Sequence, residues 1–288
     1  MAETETLSEK ITVRLAQTDA EIDAAQDLRY KVFYEEYKAT PTAEMAAKKR
    51  DFDKFDAHAD HLIVVDERGG PKNQKIVGTY RLLDREVAEK HGQFYTSDEY
   101  NIDPILKSGA TVLELGRSCV LPEFRTQPVL QLLWQGIADY VLEHNIEMLF
   151  GCASFPGTDP QALARPLSYL YHNHLAPADM RPVALPERYV RMDMIAKEDL
   201  NPREIIRELP PLIKGYLRIG SLIGDGAVID EQFNTTDVCI MLHTDLVTKH
   251  YKKHYERKGN KSFVSSTAFP AEDDSESSES EDKKLSAI

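Results

Sequence analysis

The chain has 288 residues, 42% hydrophobic and 29% charged, with 48 acidic against 35 basic side chains and a formal net charge of −13. That composition supports one large core, and the acidic balance argues against nucleic acid as a partner. No stretch approaches the ~20 uncharged apolar residues of a membrane-crossing helix, the polar start MAETETLSEK shows no secretory signal, and three scattered cysteines (Cys119, Cys152, Cys239) fit a reducing cytoplasm better than a disulfide framework or structural zinc.

Residues 1–10 read as a flexible end, and ITVRLA (11–16) as a first strand. DAEIDAAQDLRYKVFYEEY reads as a helix capped at Asp19, with Ile22, Leu28, Val32 and Phe33 on its apolar face. Thr40 to Phe55 is polar and irregular, running into the acidic cluster DFDKFDAHAD. HLIVV and KIVGTYRLL, joined by the turn-rich DERGGPKNQ, make a hairpin. Glu86 to Asn101 shows no strong period. After the central stretch described below, EMLFGCASF is a strand, and PQALARPLSYLYHNHL is helical despite Pro166, which should kink or break it. YVRMDMI predicts a further strand, PREIIRELPPLIKGYLRIG two short helices split by Pro210-Pro211, GDGAVID a turn, and DVCIMLH the last strand. The basic run HYKKHYERK (250–258) suits docking of an acidic carrier protein, contact with an anionic membrane surface, or a solvated terminal helix. Residues 259–288, rich in Ser, Glu and Asp, predict a disordered tail. No internal repeat is present, and the order of elements predicts a mixed α/β domain over residues 11–258.

The most informative stretch is TVLELGRSCVLPEFR, Thr111 to Arg125. It is an apolar, β-branched strand that nonetheless contains Glu114, Gly116, Arg117 and Ser118, and a buried charge needs a partner. The helix PVLQLLWQGIADYVLEHN follows, so strand, polar turn and helix together place side chains at a sheet's edge. Strict alternation puts Glu114 and Arg117 on opposite faces, and a bulge at Gly116 would bring both to one side. Glu114 is then a candidate proton acceptor, and Arg117 holds a carboxylate or orients Glu114. The competing reading is a structural ion pair at a strand end.

Arg29, Phe33, Asp53, Asp56 and Arg81 form a scattered second set. The carboxylates of Asp51 to Asp60 lack the glycine and terminal glutamate of a calcium loop, so a solvated loop or a site for a cationic substrate is expected, and no metal. HLAPAD matches the HxxxxD dyad of glycerolipid acyltransferases, but FPGT precedes it instead of following, and GRSCV lacks the last glycine of a nucleophile elbow. Cys119 and Cys152 lie in apolar strands, where an inert thiol is expected.

With these residues in view, the chain resembles the ornithine-lipid family of N-acyltransferases, which have the GNAT fold. The resemblance covers about residues 12–257 and rests on DLRYKVFYEE, FDKFDAHADHLIVVD, VGTYRLL, LELGRSCV, LLWQGIADY, LFGCASFPGTDP, LPPLIKGYLRIG and GDGAVIDEQFNTTDV. It implies an α/β (α+β) GNAT-like domain with a central mixed sheet flanked by helices. It also implies transfer of a 3-hydroxyacyl group from acyl carrier protein to the α-amino group of L-ornithine, giving lyso-ornithine lipid. The thioester is then a co-substrate, with no other cofactor, and the enzyme is cytoplasmic with peripheral contact at the inner face of the cell membrane.

The chain is also distantly similar to acyl-homoserine-lactone synthases, whose pattern falls on Arg29, Val32, Phe33, Asp53, Asp56, Arg81, Glu114 and Arg117, which makes one pocket of the two sets. It departs from the usual GNAT glycine-rich RxxGxG/A turn, having RTQPVL instead. Loss of two glycines removes close backbone approach to a pyrophosphate and favours a carrier-protein donor over coenzyme A. Arg125 and the helix amides after it remain available to the donor. The resemblance thus implies Glu114 as base, backbone N–H groups near Gly116 and Ser118 as oxyanion donors, Arg117 and Arg81 on a carboxylate or the donor, and Asp53 and Asp56 toward the side-chain ammonium. A different amino acid, a lactone-forming synthase and a non-enzymatic carrier or membrane adaptor are the alternatives.

Overall fold

The computed structural model describes residues 10–70 and 73–244. Residues 1–9, the basic run 250–258 and the tail 259–288 lie outside the described residues.

The strand β2 (Asp60–Asp66) shows why the sheet is covered on both sides. Its run LIVV is buried throughout, so each face needs a partner. Ile63 and Val65 pack on Ala25 of α1 (Asp19–Tyr30). On the opposite face Leu62 and Val64 meet α5 (Gln127–Glu143), which comes so close that a Cβ on Gly136 would stand 2.8 Å from Leu62 and Val13. β1 (Ile11–Leu15) and β3 (Lys75–Asp84) flank β2, both antiparallel to it.

Next to β3 lies β5 (Val112–Val120), also antiparallel, followed by the parallel β6 (Met148–Pro156). The sheet continues through β9 (Thr235–His243), β8 (Leu222–Asp230), β7 (Val183–Ala184) and β4 (Tyr100–Asn101). The remaining helices are α2 (Ala43–Lys48), α3 (Arg85–His91), α4 (Asp103–Lys107), α6 (Ala164–His174), α7 (Pro202–Glu208) and α8 (Pro211–Arg218).

Several expectations are corrected. Thr18, not Asp19, caps α1, accepting the Glu21 N–H. The expected single helix gives way after Tyr30 to a π-helical turn, Lys31–Glu36. The segment 40–55 contains α2, and the segment 86–101 contains most of α3 and a 3-10 turn, Tyr95–Asp98. Pro166 neither kinks nor breaks α6, because it falls in the first turn, where its missing N–H costs nothing. GDGAVID is not a turn but most of β8, whose register slips between Ile223 and Ala227 and so accommodates the glycines. YVRMDMI forms no strand, contributing only a bridge from Val190 to Ala227.

Two irregularities position the site. The pairing of β5 with β6 covers only Val112↔Met148, Leu113↔Leu149 and Glu114↔Phe150. Beyond those residues the parallel strands part, and their facing edges carry unladdered backbone groups. Gly151 sits at the fork, where a Cβ would lie 2.2 Å from the Leu115 carbonyl oxygen. The second irregularity is a bulge: Arg81 pairs with Gly116 and Thr79 with Cys119, so Arg117 and Ser118 oppose Tyr80 alone. Arg117, not Gly116, takes the left-handed conformation, with φ of 50°.

Candidate active site

The fork opens into a cavity of about 850 Å³, within the range of small-molecule sites. Strands β5 and β6 form its walls, and Leu130, Trp134, Leu209, Leu212 and Tyr216 from the helical side give it an apolar lobe. Trp134 and Tyr216 meet edge to face at 4.9 Å. The opposite lobe is polar, with Ser154, Asp230, Thr235 and Asp237.

Glu114 lies where the strands part and is 2% exposed. Its Oε1 accepts the Thr96 N–H at 2.6 Å and the Thr96 hydroxyl, while Oε2 accepts the Tyr95 N–H at 2.9 Å. Two oxygens offer about four acceptor positions, so Oε2 keeps one for a further proton. Burial raises the Glu114 carboxyl above its ordinary range, against the lowering effect of the Thr96 and Tyr95 donors.

Arg117 does not orient Glu114 directly. The bulge does bring both residues to the cavity, but Tyr95 links them, its N–H donating to Glu114 and its ring packing on Arg117. The Arg117 guanidinium lies 4.7 Å from the centre of the Tyr95 ring and 5.0 Å from that of Phe233. Burial works against its charge, but Tyr95, Asp51 and Asp53 outweigh that and hold it protonated.

The scattered set does assemble, as a closed ring of alternating charge. Arg29 pairs with Asp51 at 2.7 Å and with Asp56 at 2.7 Å. Arg81 reaches Asp53 at 2.6 Å and Asp56 at 3.6 Å. Arg117 closes the ring on Asp51 at 3.1 Å and Asp53 at 3.2 Å. Tyr34 adds a hydroxyl to Asp51 at 2.9 Å. Three guanidinium groups therefore balance three carboxylates. Asp56 stays ionised because Arg29 outweighs the effect of burial, and Asp53 because Arg81 and Arg117 do.

This is neither a solvated loop nor an open site for a substrate cation, since each aspartate is held between two arginines. Arg81 and Arg117 line the cavity, whereas Arg29, Asp53 and Asp56 stand behind it. Phe33 also lines it and meets Phe233 edge to face at 5.6 Å. Ser118 lines it beside the buried Tyr80 hydroxyl. At the mouth, Arg125 is held in a fork by Glu36, both contacts 2.6 Å, and donates to the Val120 carbonyl at 3.0 Å.

A second acidic group was missed by sequence reasoning. Carboxylate oxygens of Glu99, Asp230 and Asp237 lie within 4.8 Å of one another. Burial and the nearby Asp237 push Glu99 up to about 7. Asp237 is pushed up to about 6 by burial, a shift that the Ser154 and Thr235 hydroxyls oppose and Asp230 adds to. The Cys152 thiol donates to Glu99 at 3.1 Å. Burial, then Glu99, raises that thiol well above the usual range, so it is a poor nucleophile.

Residues 28–135 match the family model described as an acetyltransferase (GNAT) domain. The chain is 47% identical over 248 residues to the L-ornithine N(alpha)-acyltransferase of Agrobacterium fabrum, covering 85% of each chain. It is 48% identical over 248 residues to that of Rhizobium meliloti, covering 85% of this chain and 84% of the relative. The chain belongs to the L-ornithine N(alpha)-acyltransferase family. Among solved structures, an N-acyl amino acid synthase from uncultured soil microbes, FeeM, aligns at 12% identity and a TM-score of 0.45, over 82% of this chain and 91% of that one. In this member of the acyltransferase family the GNAT-domain match runs from α1 into α5, takes in β2, β3 and β5 but not β6, and includes the whole arginine–aspartate ring together with Glu114. The acidic group Glu99, Asp230 and Asp237 lies partly beyond it, on β8 and β9.

Proposed function

We propose that this chain transfers a 3-hydroxyacyl group from an acyl carrier protein thioester to the α-amino group of L-ornithine. The observation that carries the reading is the cavity at the fork, where an apolar lobe, a buried carboxyl and a cavity-facing arginine meet in a protein about half identical to curated L-ornithine N(alpha)-acyltransferases.

The acyl chain occupies the apolar lobe beside Trp134 and Tyr216, and the thioester lies between the parted edges of β5 and β6. Arg117, whose Nε and Nη2 are taken by Asp51 and Asp53, holds the α-carboxylate of the amino acid through Nη1. As the α-nitrogen attacks the thioester carbon, its proton passes to the remaining acceptor position on Glu114 Oε2, directly or through water. Unladdered N–H groups of β5 around the bulge stabilise the oxyanion. Collapse breaks the C–S bond and forms the amide. The departing thiolate takes up one proton, matching the one given to Glu114, so no cofactor and no covalent enzyme intermediate are required.

The donor assignment is supported by the turn into α5, which has no glycine where a pyrophosphate would approach the backbone and whose Arg125 is already paired with Glu36. Among the described residues no helix is long and apolar enough to cross a membrane. We extend the reading to peripheral contact with an anionic bilayer through the basic run 250–258, since the product carries an acyl chain.

The test is incubation of purified protein with L-ornithine and either 3-hydroxyacyl-carrier protein or the matching coenzyme A thioester. The carrier-protein reaction should yield the ornithine amide faster, and Glu114→Ala should abolish it. A faster coenzyme A reaction would remove the donor assignment alone, and absence of amide from both would remove the function.

A further inference from the structure

The ring of arginines and aspartates is neutral as a unit, but the second acidic group is not. Among the described residues the cation paired with this group is Arg188, whose Nη2 lies 3.6 Å from Glu99 Oε1 and which also donates to the carbonyls of Asp98 and Ile229. Asp237 is 6% exposed, yet its Oδ1 has no hydrogen-bond partner among the described residues. The buried Thr235 Oγ1 makes no hydrogen bond of ordinary geometry, although its hydroxyl is near enough to Asp237 to favour the ionised carboxyl. Residues two apart on a strand share a face, and both Thr235 and Asp237 line the cavity, with Ser154 opposite Asp237 on β6. An orphaned buried acceptor is costly, and this one belongs to a residue that lines a space a ligand can enter.

We propose that Asp237 and Thr235, backed by Asp230 and Glu99, form the subsite for the side-chain ammonium of the amino acid acceptor. An ammonium group brings three N–H donors and one positive charge, which match the orphaned Asp237 Oδ1 and the adjacent Thr235 oxygen in a group of three carboxyls. The subsite also lies close to the reacting end. Glu114 accepts from the Thr96 hydroxyl, that hydroxyl lies 3.9 Å from Cys152 Sγ, and Cys152 donates to Glu99 at 3.1 Å. One short, flexible diamine can therefore present its α-nitrogen at Glu114 and its side-chain nitrogen at Asp237.

The inference rests on the ornithine reading, and the test separates the two. Equilibrium binding of L-ornithine and of L-norvaline, which lacks only the terminal amine, is measured on the full chain, alongside acylation of each. The wild type should favour ornithine by about 10- to 100-fold, the range for a hydrogen bond to a charged group. Asp237→Asn should remove most of that preference while leaving norvaline binding unchanged. Thr235→Val, which keeps the shape of the side chain, should remove part of it and guards against misfolding of the first variant. Equal binding of the two ligands by the wild type, equal weakening of both in Asp237→Asn, or a preference that vanishes with chelator and returns with calcium or magnesium would each overturn the subsite. Ornithine preferred in binding but never acylated would keep the subsite and remove the reaction. Ornithine and norvaline bound and acylated alike would do the reverse.

Discussion

Glu114 holds Tyr95 by its backbone, with the Tyr95 N–H donating to Glu114 Oε2 at 2.9 Å. The same residue places its ring 4.7 Å from the Arg117 guanidinium, so the carboxyl and the arginine are coupled through a turn instead of an ion pair. Glu114→Ala would leave the Tyr95 and Thr96 N–H groups unsatisfied, at about 1–3 kcal/mol each if they stay buried. Glu114→Gln keeps the volume but turns an NH₂ group toward one of those donors. Both variants should lose stability in urea melts and lose at least ~100-fold in turnover. Full turnover in Glu114→Gln would exclude the residue as proton acceptor.

The charge ring should fail when any one member is removed. Arg29 is completely buried, so Arg29→Met leaves Asp51 and Asp56 short of a counter-charge. Breaking a buried pair costs about 3–5 kcal/mol, which denaturant titration can resolve. Arg29→Lys should also destabilise, because one ammonium cannot reproduce the forked contact with Asp56.

The Glu99 and Asp237 carboxyls give a pH signature. Folding raises them to about 7 and about 6, from ordinary values of 4.5 and 3.8, with burial the first cause. The folded state therefore holds more protons than the unfolded one, and this stabilisation is complete below the ordinary values and lost as pH rises through the folded ones. Asp53 and Asp56 are lowered and act in the opposite sense at the acid end of the range. Ligand-free protein should lose stability between about pH 4 and pH 7, read as a falling urea midpoint. Asp237→Asn should flatten that slope, and ornithine should raise the midpoint more at pH above this window than below it.

Direct transfer to the amine predicts that the thiols are dispensable. Cys119, Cys152 and Cys239 are all raised by burial. The triple alanine variant should keep turnover within about tenfold and show no burst of acyl-enzyme. Loss of turnover in a folded triple variant would point to a thioester intermediate on the protein.

The sequence exposed the centre of this site better than its rim. An acid inside an apolar strand marks Glu114, and the structure places it where β5 and β6 part, lining the cavity. The same signal is present in TTDVCIMLH, but a strand read as DVCIMLH leaves Asp237 at its first position, where an acid needs no explanation. The strand in fact begins at Thr235, which puts Asp237 inside. In GDGAVID local glycine content favours a turn, whereas pairing along β9 and a register slip hold it extended. Arg29, Asp53, Asp56, Arg81 and Arg117 do meet in one ring, with Phe33 on the cavity wall, but residue types alone do not say which charges pair. Asp51, which closes the ring on two arginines, went unassigned.

The most direct test offers the purified protein 3-hydroxyacyl-carrier protein with an equimolar mixture of L-ornithine, L-lysine, L-glutamine and glycine. Mass spectrometry with fragmentation then identifies each amide and the nitrogen that carries the acyl group. The expected product is ornithine acylated on its α-nitrogen, absent with Glu114→Ala. Acylation of the side-chain nitrogen would contradict the placement of ornithine in the cavity, and no amide from folded protein would contradict the function itself.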